Sequence, residues 1–133
     1  MVLKKSDILN KIHLIISIVI VIPVALLYGF NPSENFNIQL QTIDELNAFK
    51  AIMGLYLGFA VLWILGVCNT KFLKIALMSN MVFMLGLGFG RLISLVLDGT
   101  PTLVYIFGTA GEFVLGFYGF WVLKTGYHRT ANT

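Results

Sequence analysis

Four stretches with almost no polar interruption, at residues 12–30, 49–68, 73–97 and 102–123, constrain this chain more than anything else in it. Each is near or above the ~18–20 residues that a helix needs to cross the hydrocarbon core of a bilayer. A soluble helical core would break such runs with polar residues at the helix period, and these have almost none. The expected fold is therefore all-α: a single transmembrane domain over residues 1–133, an integral membrane four-helix bundle. Composition agrees, with 58% apolar and 11% charged residues against about half and a quarter in soluble domains.

A net charge of +3 invites a nucleic-acid reading, and the positions of the charges argue against it. Lys4, Lys5, Lys11, Lys71, Lys74, Lys124 and Arg129 fall at the termini or the second connection; Glu34, Asp44, Glu45 and Asp98 fall at the first and third. Four passes put these sets on opposite sides of the membrane, and the basic set marks the cytoplasm, so the N and C termini are expected to be cytoplasmic. Cys68 is the only cysteine, which excludes an internal disulfide. It reads as a small packing residue, with juxtamembrane palmitoylation as the second choice.

Taken in order, Ser6–Asp7 looks like an N-cap before a helix starting near Ile8. The basic start followed by an apolar run imitates a signal peptide, but the run is long and the bulky Tyr28-Gly29-Phe30-Asn31 gives no cleavage site, so an uncleaved first span is expected. His13 and Ser17 share a face near the cytoplasmic boundary, with interfacial packing as the expected role, and Pro23 is expected to kink or loosen the span. Residues 31–41 read as a loop, with Phe36, Ile38 and Leu40 marking a short extended or interfacial segment. Thr42-Ile43-Asp44-Glu45 matches a capping box that starts the second span. Asn47, Lys50, Gly54 and Gly58 follow on one face, and Gly54-x-x-x-Gly58 permits close helix approach.

Asn69 can cap the third span, on which Asn80, Met84, Arg91, Ser94 and Asp98 fall in one stripe. Gly86, Gly88 and Gly90 remove bulk before the arginine. They do not form a nucleotide-binding loop, because no strand precedes them and the region lies at membrane depth. Asp98-Gly99-Thr100-Pro101 is a tight turn in which Gly99 ends one helix, Thr100 caps the next and Pro101 takes its first position. On the fourth span Tyr105, Gly108, Thr109, Glu112, Gly116 and Gly119 share a face. Trp121 and Tyr127 are placed to anchor at the cytoplasmic interface.

Charges inside the spans are the candidate site, since an ionisable group at membrane depth costs at least a few kcal/mol and is rarely idle. Counting back from the last turn at ~1.5 Å per residue, Arg91 lies roughly 10 Å below it and Glu112 roughly 15 Å. The tight connection makes their helices neighbours. Arg91 and Glu112 are therefore expected to pair directly, or through Ser94, Thr109 or water. Asp98 and Lys50 would lie nearer the surface of the same cluster, and Tyr56 and Tyr105 would lend hydroxyls to it. Gly54, Gly58, Gly88, Gly108 and Gly116 are expected to be helix-packing positions. Two readings stand open: an ion pair that fixes helix register, or an arginine that binds an anionic or polar headgroup, ligand or partner carboxylate.

With Gly90, Arg91, Ser94, Asp98, Gly99 and Pro101, then Glu112, and with Gly54-Leu55-Tyr56-Leu57-Gly58 before them, the chain resembles the domain-of-unknown-function family numbered 4345. The resemblance covers residues 12–123. It implies a small four-helix bacterial protein of the cytoplasmic (inner) membrane, multi-pass, with no established activity. Lys50 stands where the family pattern tends to arginine, a point charge in place of a fork of donors.

The leading functional expectation is a non-enzymatic membrane module, either an accessory subunit or a binder of lipid or another hydrophobic ligand. Its partners would be membrane lipids, a membrane-protein partner or a second copy of the chain. A small oligomeric transporter using Glu112 is the first alternative. A lipid-modifying enzyme with Glu112 or Asp98 as acid or base is the second. No cofactor is implied, and no metal set is expected, because His13 and His128 lie far from the outer carboxylates.

Overall fold

The computed structural model describes residues 5–125, with side chains from residue 8 onward. Lys4, Tyr127, His128 and Arg129 lie outside the described residues. Five helices follow in order: α1 (Lys5–Phe30), α2 (Pro32–Phe36), α3 (Ile43–Cys68), α4 (Thr70–Leu97) and α5 (Leu103–Thr125). All but α2 are long and apolar enough to cross a membrane, making this a multi-pass membrane protein.

The helices begin and end where local chemistry allows. Thr42 Oγ1 accepts from the Glu45 backbone N–H at 3.2 Å while Glu45 Oε2 accepts from the Thr42 N–H at 2.8 Å. This reciprocal box starts α3 six residues before its apolar run, so the helix enters the membrane already formed. Asn69 Oδ1 accepts from Lys71 N–H at 3.0 Å and starts α4. Gly99, at φ 105°, makes the turn into α5.

Several expectations about these boundaries need correction. Ser6 and Asp7 lie within α1 rather than ahead of it, and Pro23 is carried inside that helix. The first connection is not loop throughout: Pro32 opens the five-residue α2, Asn37 ends it in the left-handed region at φ 54°, and residues 37–41 run on without helix. Thr100 and Pro101 precede α5, whose first backbone bonds go to the Thr102 carbonyl. Cys68 is exposed and so is not a packing residue.

The main packing contacts run α1 against α3, α3 against α4 and α4 against α5, while α1 and α5 meet along a looser seam. Trp63, Leu14, Leu77, Met84 and Val122 are fully buried at the centre. Small residues allow the approach of α4 to α5. A methyl group on Gly116 would come within 2.6 Å of Leu85, and one on Gly88 within 3.0 Å of Phe113, so α4 and α5 sit close. Gly54 and Gly58 do the opposite of what their spacing suggests. With Asn47 and Lys50 they occupy an exposed face where an added Cβ meets nothing within 4 Å. Gly86 and Gly90 are open in the same way.

At the end opposite α2, Lys11 Nζ donates to the Val67 carbonyl at 2.9 Å and the Tyr118 hydroxyl donates to the Leu9 carbonyl at 2.9 Å. These bonds tie α1 to the last turn of α3 and to α5.

Candidate functional site

Toward the α2 end the bundle interior changes from aliphatic to aromatic and then to charged. Tyr28 of α1 packs edge-on to Tyr56 of α3 at 5.9 Å between ring centroids, and Tyr56 to Phe83 of α4 at 5.0 Å. Above this wall, Arg91 of α4 reaches across to α5. Its Nη2 lies 3.1 Å from Glu112 Oε1, with the arginine side chain 24% exposed and the glutamate 11%. The pair forms because α4 and α5 are a hairpin and both side chains face its interior at compatible depth. Gly108, one turn before Glu112, leaves the room: a Cβ there would stand 3.3 Å from Arg91 Nη1.

The guanidinium carbon also lies 5.3 Å from the centroid of the Tyr105 ring, within the ~6 Å at which the ring's negative face attracts a cation. Tyr105 is held from two sides. Its hydroxyl donates to the Phe36 carbonyl of α2 at 3.3 Å, and its own carbonyl accepts from Thr109 Oγ1 at 2.8 Å. The Thr109 hydroxyl thus has a partner in its own helix and does not bridge Arg91 to Glu112.

Asp98 and Lys50 stand apart from the pair, while Ser94 borders the same cavity as Arg91 but bonds elsewhere. Ser94 Oγ donates to Asp98 Oδ2 at 2.7 Å on an exposed part of α4. Lys50 lies on the exposed face of α3 and makes no ion pair with the other described residues. Both carry charge or hydroxyls near the end of a span, where sequence depth alone cannot distinguish a side chain turned inward from one turned out.

Two cavities meet at Arg91. The larger, about 440 Å³, lies under the first connection and the α4–α5 turn, and Arg91 is the only charged residue among its described lining. The smaller, about 220 Å³, runs along the α1–α5 seam past Val24, Val104, Gly111 and Leu115 to Glu112. Tyr28, Tyr56, Leu87 and Tyr105 line both. Chemically this is a largely apolar slot and a wider chamber joined at one guanidinium, with the Ser94 hydroxyl, bonded to Asp98, on the chamber wall. Among the described residues, no three His, Cys, Asp or Glu side chains come together as metal ligands would.

Sequence reading missed a second polar level. His13 is 1% exposed and Asn80 0%. Neither ring nitrogen of His13 and neither amide atom of Asn80 has a hydrogen-bond partner among the described residues. His13 packs inside the bundle, its ring 5.1 Å from that of Tyr118 and its Nε2 close against Gly119. The signal was a polar amide at residue 80 within an apolar span, the kind of residue that is costly to bury alone.

Set against known proteins, residues 9–123 match the family model described as Domain of unknown function (DUF4345). No curated protein matches the chain, and no solved structure does.

Proposed function

We propose the function from the site itself, since the chain belongs to DUF4345, a family defined by a domain of unknown function. It is a non-enzymatic binding module for a lipid or other hydrophobic ligand with a polar or anionic head. Arg91 is the recognition residue and Glu112 holds it in place. The single observation that carries this reading is the meeting of both cavities at Arg91, whose fork of donors suits an oxyanion better than a point charge would. Ligand sites typically pair an apolar wall with a few placed polar groups, and the aromatic wall of Tyr28, Tyr56 and Tyr105 under one arginine has that form.

In this reading the chain lies in the cytoplasmic (inner) membrane with both termini inside, and the α2 end opens to the outer leaflet. The module acts as an accessory subunit to a membrane-protein partner or as a homo-oligomer. Native mass spectrometry after extraction in several mild detergents tests it. A ligand retained by the wild-type chain and lost from Arg91→Gln is expected; a bare chain under every condition refutes it.

A second reading, a small oligomeric transporter, draws on one further observation. Glu112 Oε2 is buried without a partner among the described residues, which leaves an acceptor for a proton or cation. Flux in proteoliposomes that persists in Glu112→Gln eliminates it.

A further inference from the structure

We infer that the ligand is an amphiphile with a single apolar chain and an oxyanion head, the head in the larger cavity and the chain leaving along the α1–α5 seam. The inference rests on the binding reading above and sharpens it.

The seam is uneven along its length. At the far end it is closed, by the Tyr118 hydroxyl on the Leu9 carbonyl and by His13 against Gly119. Toward α2 it opens into the smaller cavity, and Ile20 of α1 and Val104 and Phe107 of α5 stand exposed there at 49%, 57% and 71%. These exposed side chains face lipid in a membrane-spanning protein, so an acyl chain can pass between them without leaving an apolar environment. The slot is narrow. A cavity of about 150 Å³ takes one benzene ring, so about 220 Å³ holds the first part of one chain and not two side by side.

Charge assigns the other end. Arg91 is the only charged residue in the described lining of the larger cavity, so a head placed there meets its guanidinium. Glu112 offsets part of this charge from the slot side, its Oε1 on Nη2, so recognition of the head rests on the directed donors that the pair leaves over. Nη2 serves Glu112, and the guanidinium has five N–H donors, which leaves others for a carboxylate or a phosphate. Both head chemistries satisfy this geometry.

Gly111 sets the length of chain admitted. It lines the slot, and an added Cβ meets nothing within 4 Å, so a larger side chain fits there without disturbing the helix and occupies the space itself.

The test uses the full chain in non-ionic detergent, with palmitate, a one-chain lysophosphatidate and a two-chain phosphatidate as probes. Binding is measured by native mass spectrometry and competition for wild type, Gly111→Ala, Gly111→Leu and Arg91→Gln. One bound one-chain anion per protein is expected, weakened a few-fold by Gly111→Ala and at least tenfold by Gly111→Leu, with melting temperatures no lower than that of the wild type. Preference between palmitate and lysophosphatidate then identifies the head as carboxylate or phosphate. Equal or tighter binding of the two-chain lipid, or binding indifferent to both Gly111 variants, overturns the inference. If Arg91→Gln still abolishes binding in that case, the broader reading survives. If no variant matters for any probe, both fall.

Discussion

Removing the charge of Glu112 and of Arg91, singly and together, measures what the buried pair contributes. At 3.1 Å the bare attraction is about 5 kcal/mol for an effective dielectric constant of about 20. Desolvation of both groups offsets much of it, and the arginine, 24% exposed, is partly screened by its surroundings. The coupling left between them is about 2 kcal/mol, inside the ~0.5–3 kcal/mol seen for residues in contact. Glu112→Gln alone costs about 3 kcal/mol, the lower end of the ~3–5 kcal/mol for stranding a buried charge. Adding Arg91→Gln recovers part of that loss, because the stranded cation goes with it. The assay is reversible unfolding in mixed micelles, titrated with a denaturing detergent and followed by circular dichroism. Single-variant losses that add within about 0.5 kcal/mol refute the reasoning, since the two side chains would then meet without depending on each other.

Gly116→Val presses into Leu85 and costs about 1–3 kcal/mol by overpacking, read as a lower unfolding midpoint in the same micelles. Gly58→Ala enters open space and gains up to about 1 kcal/mol of helix propensity; a loss there shows that another helix covers this face. Asn80→Leu removes a buried amide without partners and stabilises by about 1 kcal/mol, so a marked drop in midpoint contradicts the burial described. Thr42→Ala deletes one half of the capping box and costs about 1 kcal/mol, visible as fraying of the first turn of α3 in hydrogen exchange.

The parts of this architecture that the sequence revealed are those decided locally. Thr42 and Glu45 bond each other across three residues, and Asn69 bonds the second residue after it, so their types and spacing suffice. The proximity of Arg91 and Glu112 follows from a short turn and a helical count. What stayed hidden depends on which neighbour covers a face. Gly54 and Gly58 match a packing motif as well as Gly88 and Gly116 do, yet the first two are open and the second two lie against Phe113 and Leu85. In a bilayer, lipid and protein neighbours are both apolar, so the pattern carries no contrast between them. The cavities were equally unreadable, since their walls join Tyr28, Tyr56 and Tyr105 from three helices. Helix α2 is different: Pro32 at its first position and Asn37 beyond its end were legible signals, outweighed by the alternation of Phe36, Ile38 and Leu40.

The bond from Tyr105 to Phe36 spans 69 residues of sequence. It joins the connection inside one helical hairpin to a helix of the other, so it cannot exist while only the first hairpin has left the ribosome. At ~5–20 residues per second, the Phe36 carbonyl waits roughly 3–14 s for its hydroxyl during synthesis. For most of that interval the nascent chain lacks Arg91, and for all of it Tyr105, so the wall beneath the first connection is incomplete. The two hairpins are therefore latched at this end only once the last helix has been made, which ties closure of the site to the final step of synthesis.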